Sequence, residues 1–243
     1  MSQAPVGIAL PRLTPAVKVL LVTNTALFVL LGLAIKLAPA MGVALFENLA
    51  LSVAALAQLK VWTVVSYAFV HSLFDVFHLL FNMLLLYFFG PMLERRWGTR
   101  QFMFFYLGGA LGGGLVFAVF NLAISSDAPV VGASAAVLAL IVAWGFLFPQ
   151  MPIYFFGLLP LKGYHLIAIT VAIELLLAVS QSPVSSAAHF GGMATGALLV
   201  TGYWRPRKLW ERLRPKKRAR VPKLSVFVNP KDDDKAPPGG WVN

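Results

Sequence analysis

The chain has no cysteine, only 4 histidines, and charge on just 12% of its 243 residues. Without thiols there is no disulfide, no thiolate nucleophile and no cysteine-based metal site, which leaves serine, histidine and the carboxylates as candidate chemistry. With so few charges there is too little polar surface to clothe a soluble globule. At 59% hydrophobic residues, the chain is solvated chiefly by lipid. The formal charge of +11 does not imply nucleic acid. A nucleic-acid binder spreads Lys and Arg over a folded face, whereas here they crowd into one tail. No nucleic acid, cofactor or metal is expected, and nothing in the sequence specifies an oligomeric state.

A signal peptide is the first reading to test, because Lys18 precedes an apolar run ending in Ala38, Pro39 and Ala40. The run 19–35 is longer than a usual signal core. Lys18 and Lys36 at its ends can snorkel, as the flanks of a spanning helix do.

Six stretches are long and apolar enough to cross a bilayer: 17–37, 76–93, 102–124, 131–148, 166–180 and 184–204. Residues 40–70 are also apolar, but Glu47, Gln58 and Lys60 interrupt them, which suits a loop and short helices lying at the interface. The expected fold is therefore an all-α membrane protein of six spans with an interfacial first external loop. Charge asymmetry agrees with that count. One side collects Arg12, Lys18, Arg95, Arg96, Arg100, Lys162 and the whole tail from Arg205 to Lys235, and the other only Lys36 and Lys60. Both ends are then cytoplasmic, with residues 125–129 external.

The chain divides into a membrane domain, 1–204, and a tail, 205–243. The tail's prolines, its Asp232, Asp233, Asp234 run and its Gly239, Gly240 pair cannot build a core, and its basic half suits contact with anionic lipid. With no transit segment read ahead of the first helix, a bacterial plasma membrane is the simplest expectation, with an organelle membrane as the alternative. No internal repeat is visible, which counts against a transporter built from inverted halves.

Polar groups inside spans are costly, so each needs a reason. The second span holds His78 and Asn82 four residues apart, on one face. The fourth opens with Gly132, Ala133 and Ser134. The fifth contains Glu174, read as neutral or paired within the bundle and left outside the site. The sixth carries His189 ahead of Gly191 and Gly192.

In the six-span topology Ser134 and His189 lie at matched depth, Ser134 about one turn into its helix and His189 one to two turns below Pro183. Small residues on both helices, from Gly132 to Ala139 and from Ala188 to Gly196, allow close approach. A serine beside a histidine is a nucleophile with its base. His78 and Asn82 start from the same side and could donate to a developing oxyanion. The glycines Gly108, Gly109, Gly112, Gly113 and Gly114 read as packing surface, because no strand precedes them and no Lys follows. His71 receives no role. Glu94, Arg95 and Arg96 read as a structural anchor.

At these residues the chain resembles the rhomboid family of intramembrane serine proteases. The likeness runs from about Trp62 to Gly196 and rests on His78 and Asn82, on Leu93-Glu94-Arg95-Arg96-Trp97-Gly98, on Gly132 to Ser134, and on His189 to Gly192. It implies a Ser134/His189 dyad without an aspartate, and an oxyanion site made of His78, Asn82 and the Ser134 backbone N–H. It also implies transmembrane protein substrates, single-span helices opened at small or helix-breaking residues.

Two positions depart from the family pattern. Ala135 stands where glycine is usual directly after the serine, and Leu138 where an aromatic ring usually packs against the catalytic histidine. They motivate a second reading, a rhomboid-like protein that binds transmembrane clients without cutting them. A third, proton-coupled transport through His78, Glu174 and His189, would call for repeat symmetry.

Overall fold

The computed structural model describes residues 11–155, 159–180 and 183–202. The tail expected at 205–243 lies outside them.

Helix α1 (Pro15–Leu37) opens with a proline at its first position, where a missing N–H costs nothing. The next two N–H groups, of Ala16 and Val17, are taken by the two carboxylate oxygens of Glu94 at 2.9 and 3.0 Å. Ala38 breaks the helix, and Pro39 starts α2 (Pro39–Leu49). In place of a seventh long helix, the segment that follows forms α3 (Val53–Ala57), α4 (Thr63–Ser66) and a 3₁₀ turn over Tyr67–Phe69. Ser52 caps α3 through its side chain, as a serine at this position does.

The bundle is then completed by α5 (Val76–Trp97), α6 (Thr99–Ala123), α7 (Ser134–Leu147), α8 (Gly163–Ser180) and α9 (Pro183–Thr201). Of these helices, α1, α5 and α6 are long and apolar enough to cross a membrane, and α7 and residues 163–179 of α8 are shorter apolar helices. Large apolar side chains such as Val22, Leu30, Val119, Leu176 and Val179 point outward. A soluble protein avoids such a surface, and lipid requires it.

Helix α7 is apolar on every face, and every residue from Ala135 to Gly145 is buried. A helix of that kind belongs in the middle of a bundle. Small residues bring its neighbours close. A Cβ added to Gly109 of α6 would lie 2.6 Å from that of Ala139, and one added to Gly113 would lie 2.5 Å from that of Ala135. Gly192 and Gly196 of α9 press in the same way against the backbone of Ala135 and Ala139. The α6 glycines are thus packing surface, as their sequence context implies.

Two expectations need correction. The fourth apolar stretch does not become helical at residue 131: Gly132 has φ +124°, outside any right-handed helix, and α7 starts at Ser134 itself. The chain is also not purely helical. Between α7 and α8, β1 (Pro152–Phe155) pairs antiparallel with β2 (Leu159–Lys162), Pro152 opposite Lys162 and Phe155 opposite Leu159.

Candidate active site

The site is built at the start of α7, and the chain leading into it is tied down three times. Val130 exchanges both backbone hydrogen bonds with Leu51, at 3.1 and 2.8 Å. The N–H of Gly132 donates to the carbonyl of Tyr67 at 2.9 Å, and that of Ala133 to Nε2 of the buried His71 at 3.3 Å. Gly132 is required twice over, by its positive φ and because an added Cβ would sit 2.6 Å from Nε2 of His78. That same point lies 3.7 Å from Oγ of Ser134, so the His78 ring and the serine hydroxyl flank one small volume.

Ser134 is the first residue of α7, and the first intrahelical bond runs from the N–H of Val137 to the carbonyl of Ala133 at 2.9 Å. The N–H groups of Ser134, Ala135 and Ala136 therefore precede the hydrogen-bonded ladder, and the positive end of the helix dipole falls at the serine.

His189, from the second turn of α9, places Nε2 2.7 Å from Oγ of Ser134. Its Nδ1 lies 2.7 Å from Oε2 of Glu174 on α8. The histidine side chain is 17% exposed and the glutamate 8%, so both act largely out of water. One imidazole thus joins a hydroxyl to a carboxylate across three helices. A hydrogen on Nδ1, donated to the Glu174 carboxylate, would leave Nε2 to accept the serine proton.

The expected site residues do not all sit alike. Ser134, His189 and His78 converge. Asn82, one turn further along α5, donates to the carbonyl of His78 at 2.7 Å and so is engaged with its own helix. Ala135 and Leu138 leave the Ser134–His189 contact in place. The Ala135 methyl is received by Gly113, and Leu138 is buried.

The sequence placed Glu174 in the bundle without naming its partner, and it gave His71 no role. A signal for Glu174 was present: it stands six residues before Ser180 at the end of α8, and His189 six after Pro183 at the start of α9. The 2.7 Å contact between their side chains shows that these two positions meet. His71 gave no such signal, because its partner is a backbone group far along the chain. Its ring meets that of His78 edge-on at 5.2 Å, and burial, with the neighbouring His78, pushes its pKa down to about 3, so it is neutral.

These features define a helical membrane protein that holds a hydrogen-bonded serine and histidine within its bundle. The rhomboid domain profile matches residues 58–206, and the chain belongs to the rhomboid family. It is 29% identical over 154 residues to the RHOMBOID-like protein 12, mitochondrial, of Arabidopsis thaliana, a match covering 57% of this chain and 45% of that relative. The chain thus spans less than half the length of the curated relative it matches.

Proposed function

We propose that the chain is an intramembrane serine protease that hydrolyses peptide bonds in or near the membrane segments of single-span proteins. The observation that carries this reading is the 2.7 Å contact between Oγ of Ser134 and Nε2 of His189 at the positive end of a buried helix. A hydroxyl is a poor nucleophile until a neighbour takes its proton, and this neighbour is in place.

Oγ attacks the scissile carbonyl carbon while its proton passes to Nε2 of His189. The carbonyl oxygen becomes an oxyanion, received by the backbone N–H of Ser134 and by donors from His78 and Asn82, the latter released from the His78 carbonyl as substrate binds. The C–N bond then breaks as Nε2 returns the proton to the leaving amine. Water, deprotonated by the same nitrogen, attacks the ester, Oγ leaves and is reprotonated, and a carboxylic acid is released. Charge, substrate and product are all handled by this chain's own groups.

In this reading α1, α5, α6, α7, α8 and α9 are the six crossings, with both ends on the side that carries the excess of Lys and Arg. The serine then lies near the opposite face, within reach of a helix entering laterally from lipid. A second reading, a client-binding protein without cleavage, is favoured by Ala135 and Leu138 at positions where the family pattern has other residues. Labelling by a serine-directed fluorophosphonate separates the two: the protease reacts at Ser134, and a client-binding protein does not.

A further inference from the structure

The α8 helix presents an outward apolar face, with Ile173, Leu175 and Leu176 all more than half exposed, yet Glu174 between them is 6% exposed and turned into the bundle. Burying a carboxylate in a low-dielectric interior is costly, and such a group persists when it is paired and used. Its partner is Nδ1 of His189, the nitrogen that the serine does not touch.

We propose that Glu174 is the positioning residue of this site: it accepts the Nδ1–H of His189, fixes the tautomer that leaves Nε2 free for Ser134, and stabilises the imidazolium formed when the serine proton arrives. This rests on the protease reading and extends it from a dyad to a relay of three side chains. The proton stays on Nδ1 throughout, and Glu174 remains a carboxylate and touches no substrate. A neutral imidazole alone divides its proton between two nitrogens, and the form with hydrogen on Nε2 cannot accept from Oγ. The carboxylate removes that form. It also opposes the positive charge that develops on the ring, in a region where water screens little.

A merely structural Glu174–His189 pair would pin α8 to α9 and do no more, so the test needs readouts that packing does not move. In purified protein, ¹⁵N resonances of His189, assigned by their loss in His189→Gln, report which nitrogen carries the proton. The wild type is expected to show the Nδ1–H form. Glu174→Gln can present its amide N–H₂ to Nδ1 and should shift the population toward Nε2–H. On a single-span substrate its kcat should fall about 10²-fold or more with KM held within about twofold, and Glu174→Asp, which keeps the charge, should recover at least about tenfold of that loss.

A wild type whose His189 carries its proton on Nε2 overturns the proposal without any variant. So does Glu174→Gln with wild-type tautomer and kcat in an enzyme whose cleavage still depends on Ser134. Cleavage that did not depend on Ser134 would instead sink the protease reading, and the positioning role with it.

Discussion

Oε1 of Glu94 accepts the backbone N–H of Ala16 at 2.9 Å across 78 residues of sequence, and Oε2 takes the next N–H, of Val17. A carboxylate from the end of α5 therefore caps the first turn of α1, and Oγ1 of Thr99 completes its shell at 2.7 Å. The segment reads from sequence as an anchor, and its anchoring is internal: it holds the first helix to the bundle.

Replacing this cap by Glu94→Ala leaves two helix-start donors without a partner in a buried place. Loss of such bonds costs about 1–3 kcal/mol, so the melting temperature in detergent should drop by several degrees, with Glu94→Gln intermediate. An unchanged melting temperature in Glu94→Ala would remove the cap from the account.

Gly132→Ala should be among the most damaging single-methyl changes in the chain. It forces a side chain into φ +124° and against His78, with the strain alone costing about 1–3 kcal/mol. Gly108→Ala is the comparison, since an added Cβ there meets only the end of the Leu199 side chain at 3.0 Å. Melting and cleavage measured on both should fall far more for Gly132→Ala; equal effects would contradict the geometry at the α7 start.

The buried, neutral His71 gives stability a pH dependence. Folded, it resists protonation down to about pH 3, whereas unfolded it accepts a proton near its ordinary 6.5. The unfolded chain therefore binds more protons between those values, and the stabilisation present above 6.5 is lost as pH falls toward 3, at up to about 1.4 kcal/mol per pH unit. Melting curves recorded across this range should decline less steeply for His71→Gln than for the wild type. Parallel declines would show that His71 is not held neutral.

Asn82→Ala and His78→Ala should each slow turnover by about 10²- to 10³-fold at most, because each removes one donor to the oxyanion while the Ser134 N–H remains. Steady-state rates on a single-span substrate test this. A folded double variant turning over at the wild-type rate would exclude both from the mechanism.

How far the sequence could be read followed the physics of each signal. The spans that became α1, α5 and α6 were legible because length and apolarity are local properties. Ser134, His189, His78 and Asn82 stood out because polar groups are rare and costly in such segments. The true start of α7 was hidden, because hydropathy does not register the positive φ of Gly132. The strand pair β1 and β2 was hidden too, since two four-residue strands carry almost no periodic signal. Glu174 was legible as a carboxylate neutral or paired within the bundle, and its partner, His189 on the next helix, was not, because that pairing is a tertiary contact.

The most direct test of the central claim is cleavage of a single-span substrate in proteoliposomes by the wild type, Ser134→Ala and His189→Ala, with melting measured on each. Removing the hydroxyl of Ser134 is nearly isosteric and suits the close helix packing, so stability should change little. The two side chains work as a unit, so either change should abolish cleavage about as completely as both together. Wild-type cleavage that vanishes in both folded variants is the predicted result. Cleavage persisting at the wild-type rate in purified Ser134→Ala protein would contradict it.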